Sequence, residues 1–214
     1  MTHWDVLIVG AGQAGCAAAW DLAAAGLRVA VISRPQSRGK PCAGGVTEKA
    51  VARYRFSIAP VVREAVTSLA VSHRSLPVRR LSTGTPFCVM TERAELDALC
   101  REQAVQQGVV FHETAGLRLV EQRPGRVRVE TREGDCFSAP WLIAADGANS
   151  AVARMLGERH VPGAMAIEGC VPREKVCDYP PMTLDFGVIR GGYGWLFPKG
   201  DLSLIHISEP TRPY

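Results

Sequence analysis

The chain has 214 residues, of which 47% are hydrophobic and 21% charged, enough apolar sequence for one large or two small domains. Its net charge is +4 and its arginines are dispersed, which argues against a nucleic-acid-binding surface. Seven cysteines at irregular spacing, with no CxxC pair, argue against a disulfide framework or a zinc site. A strand beginning by residue 5 argues against a signal peptide or a membrane span, so we expect a cytoplasmic protein.

The first 34 residues have the pattern of a dinucleotide-binding βαβ unit. The pattern consists of an apolar strand, a glycine turn, a small-residue helix ended by Gly26 and a second apolar strand: residues 5–9, 10–15, 16–25 and 27–32. Gly10 permits the tight turn, Gly12 lets the backbone approach a pyrophosphate, and Gly15 lets the helix pack closely on the strand. Phosphates would lie at the helix N-terminus, where free N–H groups favour negative charge. The alternative is an ordinary tight βα turn.

The second strand departs from the usual pattern at its end. An acidic residue normally accepts hydrogen bonds from the adenosine ribose there, but this chain has Ser33 followed by Arg34. Ser33 is a weaker acceptor, and Arg34 is compatible with a phosphorylated ribose. The glycine turn alone therefore does not distinguish FAD from NAD(P).

The middle of the chain begins with the loop Lys40-Pro-Cys42-Ala43-Gly44-Gly45. Its two adjacent glycines suggest backbone lying against a ligand, and the alternative is a flexible connection. The pattern then predicts helices over 47–54, with Thr47 as N-cap, and over 61–66. Strands follow over 69–72, 78–82 and 87–90. A strong helix starts with Thr91 as its cap and ends at Gly108.

The second half of the chain returns to strands. The pattern predicts a third parallel strand over 109–111 and an antiparallel meander with turns at 124–125 and 134–135. A buried strand over 141–145 runs into Asp146-Gly147-Ala-Asn-Ser150, and a short helix covers 151–156. Three further strands are predicted over 165–170, 183–189 and 193–197.

We interpret the last residues of the chain as not belonging to the native protein. Residues 202–212 match the in-frame translation of a transposase sequencing adaptor. We therefore expect residues 202–214 to be an artefact, native sequence to stop near Asp201, and the chain to be a C-terminally truncated fragment. The alternative is a real strand followed by a polar tail.

Five motifs together resemble known flavoproteins. The glycine turn, the Arg93 helix start and Ala145-Asp146-Gly147-x-x-Ser150-x-x-x-Arg154 resemble the FAD-dependent oxidoreductases of the p-hydroxybenzoate hydroxylase type. Within this group, the loop at residues 40–45 and Tyr193-Gly-Trp195-Leu-Phe197-Pro198 resemble the K-P-C-G-G-G and Y-x-W-x-F-P motifs of the geranylgeranyl reductase family. Ala43 replaces one glycine of that family, and Arg190 stands where it usually has proline. The resemblance covers residues 3–201, without a late Gly-Asp motif.

The resemblance implies an α/β fold with two parts. Residues 1–60 and 91–158 would form a Rossmann-like FAD-binding domain that includes an antiparallel β-meander. Residues 61–90 and 159–201 would form an inserted and incomplete β-sheet domain for substrate binding. The residues implied in FAD binding are Gly10, Gly12, Gln13, Ala14, Gly15, Ser33, Arg34, Lys40, Cys42, Ala43, Gly44, Gly45, Arg93, Asp146, Gly147, Ser150 and Arg154.

Two of these residues, Arg93 and Asp146, have a structural role as the alternative to cofactor binding. Arg93 could supply a charge-assisted contact to a phosphate or ribose, or could be a surface helix charge. Asp146 lies at the C-terminal end of a strand, where doubly wound folds bind ligands, or it belongs to a helix-capping turn.

The substrate motif places Tyr193, Trp195 and Phe197 at alternate positions of one strand, so they face one side, and Pro198 follows them. An aromatic face suits a long isoprenoid chain, and the alternative is an ordinary core. Cys42 is the candidate catalytic residue near the reacting centre, either by shaping the pocket or as a proton donor, because a thiol is mostly protonated at neutral pH. The alternative is a structural loop cysteine.

The resemblance implies an FAD-dependent reductase of C=C bonds in a geranylgeranyl or other prenyl group on a lipid, quinone or chlorophyll precursor. The electron donor would be NADPH or ferredoxin, the partner a prenylated small molecule or lipid, and contact with the inner membrane face peripheral. No metal is expected, and the truncated chain is expected to be inactive. Two alternatives stand: an FAD-dependent monooxygenase or halogenase acting on an aromatic substrate, and a non-catalytic dinucleotide-binding fragment.

Overall fold

The computed structural model describes residues 3–35, 42–74, 78–158, 164–175 and 181–200, together with the backbone of residues 202–210. The chain packs as two compact units, Met1–Gly39 with Asp97–Val161 and Lys40–Leu96 with Pro162–Tyr214. Residues 42–60 and 91–96, which the sequence motifs assign to the FAD-binding domain, pack in the second unit.

The elements follow one another in the chain with short connections. In order they are β1 (Val6–Val9), α1 (Gln13–Ala24), β2 (Val29–Ser33), β3 (Gly45–Thr47), α2 (Glu48–Val51), β4 (Val62–Val66), β5 (Ser68–His73), β6 (Arg79–Ser82), β7 (Cys88–Thr91), α3 (Arg93–Gln106), β8 (Val110–Glu113), β9 (Leu117–Arg123), β10 (Arg126–Thr131), β11 (Cys136–Ala139), β12 (Trp141–Ala144), α4 (Ala151–Met155), β13 (Ala164–Pro172), β14 (Met182–Phe186), β15 (Tyr193–Lys199) and β16 (Leu202–Pro210).

The first unit is built on a four-stranded parallel sheet with the order β12-β1-β2-β8. In the two central strands, Leu7, Ile8, Val31 and Ile32 are fully buried, as their continuous apolar runs predict. Ala19 of α1 is also fully buried, which confirms that this helix packs through its small residues. The predicted strand–glycine turn–helix–strand unit is therefore confirmed.

The predicted antiparallel meander is also confirmed, with the order β11-β10-β9. Its inward side chains join the parallel sheet in one hydrophobic core, because apolar residues alternate along each strand. The buried members of this core are Trp4, Leu7, Val9, Ala30, Ile32, Leu117, Val120, Val129, Ala139 and Val152.

The second unit contains a six-stranded sheet, β13-β16-β15-β14-β5-β6, and a three-stranded sheet, β3-β7-β4. Strand β14 pairs in parallel with β5 and antiparallel with β15. Buried Val66, Cys88, Met90 and Met182 form the core of this unit, and Phe197 packs against them.

Two predictions about helices are wrong. Residues 61–66 were expected to be helical, but β4 is a strand whose residues alternate between more and less exposed positions, the period of a half-buried strand. Thr91 was expected to cap α3, but it is the last residue of β7 and is fully buried, and the helix starts at Arg93. The predicted N-cap Thr47 is confirmed, since its Oγ1 accepts a hydrogen bond from Ala50 N.

The backbone of β16 pairs antiparallel with both β13 and β15. Main-chain pairing uses groups that every non-proline residue carries, so it is compatible with many sequences. The origin of residues 202–214 therefore stays a prediction. Within the described ranges, none of the helices combines the length and apolarity that crossing a bilayer requires.

Candidate cofactor and substrate sites

The glycine turn after β1 leaves no room for side chains at two positions. Gly10 has φ +105° and donates its N–H to Ile32 O at 2.9 Å. A Cβ on Gly10 would overlap the carbonyl oxygen of Ala145, and a Cβ on Gly15 would overlap that of Gly10. Gly12 is the N-cap of α1 and offers no side-chain acceptor to its N–H groups. The turn thus has the close backbone approach and the uncapped helix start that a pyrophosphate requires.

Gln13 is held by side chains of α3. Its Nε2 donates to Asp97 Oδ1 at 2.6 Å, and Cys100 Sγ donates to its Oε1 at 3.3 Å. Asp97 and Cys100 are both buried. The sequence motifs did not single them out, although their i, i+3 spacing places them on one helix face. Ala14, beside Gln13, is exposed.

Cys16 lies in the same buried region. Its Sγ donates to Ala11 O at 3.5 Å, and the side chain is 2% exposed. Burial is the largest cause that raises the pKa of the Cys16 thiol to about 12, and the nearby Cys100 and Asp97 add to the effect. This thiol is therefore inert at neutral pH.

Ser33 ends β2 at the position where a ribose-binding residue is expected. Its Oγ is buried and has no hydrogen-bond partner among the described residues. An orphaned buried hydroxyl is costly, and a ribose hydroxyl would satisfy it. Ser33 therefore fits an adenosine ribose at this position. Arg34 follows on the exposed surface.

Asp146 and Ser150 together cap the short helix α4. Asp146 Oδ1 accepts from Ser150 Oγ at 2.6 Å, and its Oδ2 accepts from Ala151 N at 2.6 Å and Val152 N at 3.2 Å. Ser150 Oγ accepts from Ala153 N at 2.9 Å. The capping interpretation of Asp146 therefore describes this structure, and its contact with a flavin ribose stays a prediction.

The rest of this motif supports the same turn. Gly147 has φ +84°, a conformation that favours glycine. Arg154 Nη1 donates to Asn149 O at 2.9 Å, which closes the turn onto α4. The turn starts next to the glycine turn, because Ala145 N donates to Val9 O at 2.8 Å.

The loop that contains Cys42 is anchored on β7. Gly44, at φ +75°, accepts hydrogen bonds at its O from Thr91 N at 2.9 Å and Thr91 Oγ1 at 2.8 Å. Gly44 N donates to Cys42 Sγ at 3.4 Å, and Cys42 and Ala43 are half-buried. Lys40 lies outside the described residues. This anchoring favours an ordered segment over the flexible connection.

A row of four aromatic rings lies on one face of the second unit; we call Phe186, Tyr193, Trp195 and Phe197 the aromatic row. Successive ring centroids are 5.6, 4.9 and 6.4 Å apart. Phe186 and Tyr193 are 43% and 38% exposed at the outer end. At the inner end, a Cβ on Gly45 would lie 3.6 Å from the Phe197 ring. The row therefore leads from solvent to the loop that contains Cys42.

Pro198 does not belong to the row. It faces the opposite side of β15 and lines a cavity of about 420 Å³ together with Val66 and Met182. Phe197 packs against the cluster that contains the same Val66 and Met182, so Pro198 lies beside the inner end of the row.

An ion pair with a buried lysine and a partly exposed carboxylate follows the aromatic row on the same face of β15. Lys199 is 3% exposed, and its Nζ lies 3.1 Å from Glu92 Oε1 and 3.0 Å from Oε2. Glu92 is preceded by the loop anchor Thr91 and followed by the half-buried Arg93. The sequence motifs missed both partners; a lysine inside an apolar strand motif was the available signal.

Comparison with known proteins connects these features to a family. Residues 3–172 match the model of the FAD binding domain. A menaquinone reductase of Mycolicibacterium smegmatis is 32% identical over 94% of this chain and 53% of its own length. A geranylgeranyl diphosphate reductase of Rhodobacter capsulatus is 29% identical over 94% of this chain and 54% of its own length. The chain thus spans about half the length of these relatives.

The fold is also found among solved structures. A geranylgeranyl bacteriochlorophyll reductase-like protein of Thermoplasma acidophilum superposes with a TM-score of 0.81, at 22% identity, over 98% of this chain and 57% of its own. The predicted α/β FAD-binding fold is confirmed, as is the resemblance to geranylgeranyl reductases. The chain belongs to the FAD-binding domain family.

Proposed function

We propose that the full-length protein is an FAD-dependent reductase of C=C bonds in a prenyl group carried by a lipid, a quinone or a chlorophyll precursor. The observation that carries this proposal is the aromatic row, which leads from solvent to the Cys42 loop. A prenyl chain offers only apolar surface, so an extended face of stacked rings supplies contact area without demanding polar groups.

The length of the row favours a long apolar substrate over a compact one. Four rings in sequence give a strip rather than a pocket, and its outer end is open to solvent. A chain bound along the strip would leave its polar head outside and bring its apolar end to Gly45. Family relatives that are named for prenylated substrates agree with this choice.

Reduced FAD supplies a hydride in this chemistry. The residues of this chain bind the cofactor, orient the alkene and exclude water. Cys42 Sγ, which accepts the N–H of Gly44, is the group we assign to deliver the proton that completes the reduction. The glycine turn and Ser33 would hold the pyrophosphate and adenosine ribose, and Arg93, Asp146 and Arg154 stay candidates for polar contacts.

The surroundings of the reaction follow from the substrate. We propose NADPH or ferredoxin as the source of electrons and a cytoplasmic protein that touches the inner membrane face peripherally to reach a lipid. The exposed outer end of the aromatic row is where a prenyl chain would enter.

The test uses the full-length protein, expressed from DNA amplified across the codon for Asp201 and loaded with FAD. Anaerobic turnover with chemically reduced flavin is measured on geranylgeranyl lipids, quinones and diphosphates, with saturated products identified by mass spectrometry. We expect Cys42→Ser to lower kcat at least tenfold and Trp195→Leu to raise KM at least fivefold. Trp141→Leu is the matched control, because Trp141 is 71% exposed in the other unit, and it should change neither constant.

Two results would contradict the proposal. Oxygen consumption with an aromatic substrate, without prenyl reduction, would favour the monooxygenase or halogenase alternative. A protein that purifies without flavin and turns over nothing would favour the non-catalytic alternative.

A further inference from the structure

We propose that Lys199 and Glu92 are a positioning pair that holds residues 42–45 at the inner end of the aromatic row. This inference concerns the ion pair and the loop; it rests on the proposed function only in giving Cys42 a part in prenyl reduction.

Lys199 carries a charge that is buried. Lysine is almost never fully buried unless paired, and the side chain of Lys199 is 2% exposed against 40% for Glu92. Taking the Lys199 ammonium out of water costs free energy that one ion pair seldom repays in full. A buried lysine at this position therefore points to a role other than stability, and a fixed local geometry is such a role.

Lys199 also lies close to the loop at residues 42–45. The Lys199 side chain passes over Gly44, since a Cβ on Gly44 would lie 3.3 Å from Lys199 Cε. Gly44 O accepts two hydrogen bonds from Thr91, the residue directly before Glu92. The end of the Lys199 stem thus lies beside Gly44, while its ammonium binds Glu92, the residue next to the loop anchor Thr91.

Lys199 lies on the same face of β15 as the aromatic row. Lys199 alternates with Phe197, Trp195 and Tyr193 along β15, so it continues the aromatic row on the same face. The ring of Phe197 lies 3.6 Å from where a Cβ on Gly45 would stand, and the stem of Lys199 lies 3.3 Å from where a Cβ on Gly44 would stand. Because Gly44 N donates to Cys42 Sγ, holding Gly44 also fixes the position of the thiol at the end of the row.

The two partners differ in exposure, so the lysine can be replaced without leaving a buried charge unpaired. In Lys199→Met, the remaining Glu92 carboxylate is 40% exposed, so water can solvate it and the protein should fold. In Glu92→Gln, the ammonium stays buried opposite a neutral oxygen, which costs more stability but keeps a hydrogen-bond acceptor. Glu95→Gln is the matched control, because it removes an exposed partner of Arg63 from the first turn of α3, three residues after Glu92.

The experiment measures the Cys42 thiol directly in the full-length protein. Iodoacetamide labels the native protein, and the Cys42 peptide is quantified by mass spectrometry over time. We expect Lys199→Met to raise the labelling rate at least fivefold, because the loop is no longer held, with Glu95→Gln within twofold of wild type. In turnover, Lys199→Met should lower kcat at least tenfold and leave KM for the prenyl substrate within twofold.

An unchanged Cys42 labelling rate in Lys199→Met would overturn the positioning pair, whatever the turnover result. If Lys199→Met fails to fold by circular dichroism, Lys199→Gln is measured instead, because its amide is neutral and keeps a hydrogen-bond donor for Glu92. We expect a smaller rise in the labelling rate, and no rise would contradict the inference. Failure of the wild type to reduce any prenyl group would reject the proposed function alone, because the labelling comparison still tests the pair.

Discussion

Gln13 and Asp97 are joined by a 2.6 Å hydrogen bond from Nε2 to Oδ1, although they lie 84 residues apart in the chain. This bond fixes the first helical residue after the glycine turn to a buried carboxylate on α3. The conformation of the turn therefore depends on its own glycines and also on Asp97 of α3. An uncapped helix start keeps its direction only if its first turn is held, and Asp97 holds it.

Asp97→Ala should lower the free energy of unfolding by about 1–3 kcal/mol, because it leaves the partly buried Gln13 amide without this acceptor. Asp97→Asn keeps an acceptor oxygen and should lose less than about 1 kcal/mol. Urea unfolding of the apo-protein measures both. Equal losses in the two variants would assign the effect to the charge and contradict the hydrogen-bond argument.

Gly15→Ala should reduce the amount of FAD that copurifies at least tenfold and destabilise the protein by about 1–3 kcal/mol, because its Cβ overlaps the Gly10 carbonyl oxygen. Gly84→Ala is the control: a Cβ there meets open space, and the change should stay within about 0.5 kcal/mol. Thermal unfolding and the flavin-to-protein absorbance ratio provide the readouts. Normal flavin content in Gly15→Ala would refute the close approach at this turn.

Ser33→Ala should affect binding and stability in different directions. Removing a buried hydroxyl without a described partner should leave the apo-protein as stable as wild type or slightly more stable. The same change should weaken FAD binding about fivefold, the equivalent of about 1 kcal/mol for one hydrogen bond. Titration calorimetry and urea unfolding measure the two effects.

The meander supplies the control for Ser33. Ser138 Oγ is also buried without a described partner, so Ser138→Ala should have the same effect on stability and none on FAD affinity. A loss of affinity in both variants would remove the reason to place the adenosine ribose at Ser33.

Glu133 should make stability depend on pH in the acid range. Its carboxylate accepts from Thr114 Oγ1 at 2.5 Å and Ala115 N at 2.7 Å, and these bonds lower its pKa from 4.5 to about 2. A lowered folded-state pKa means that the stabilisation is complete above about pH 4.5 and is lost as the pH falls towards 2. The stability difference between wild type and Glu133→Gln should therefore shrink across this interval. A difference that stays constant from pH 6 to 2 would contradict this assignment.

Local sequence patterns were sufficient to predict those elements whose structure depends on residues close together in the chain. The apolar runs of β1 and β2, the glycine spacing at residues 10–15 and the alternation of Tyr193, Trp195 and Phe197 could be predicted from sequence, because each depends on period, steric room or turn conformation within a few residues. The prediction of a helix over 61–66 was wrong because the segment is short. Six residues are too few to distinguish the helical period from the strand period, and β4 becomes a strand because β7 offers it a pairing partner.

What only the tertiary structure decided is which distant residues meet. Asp97 reaches Gln13, Thr91 anchors Gly44 instead of capping α3, and Lys199 meets Glu92 across 107 residues of chain. The sequence by itself determined the strand–turn–helix unit and the one-sided alternation of the aromatic residues, because these depend on short-range chemistry. FAD was predicted from the resemblance of several separated motifs to a known family. The partners of buried polar groups depend on how strands and helices pack, and a buried charge or amide takes whatever acceptor the fold brings within about 3 Å.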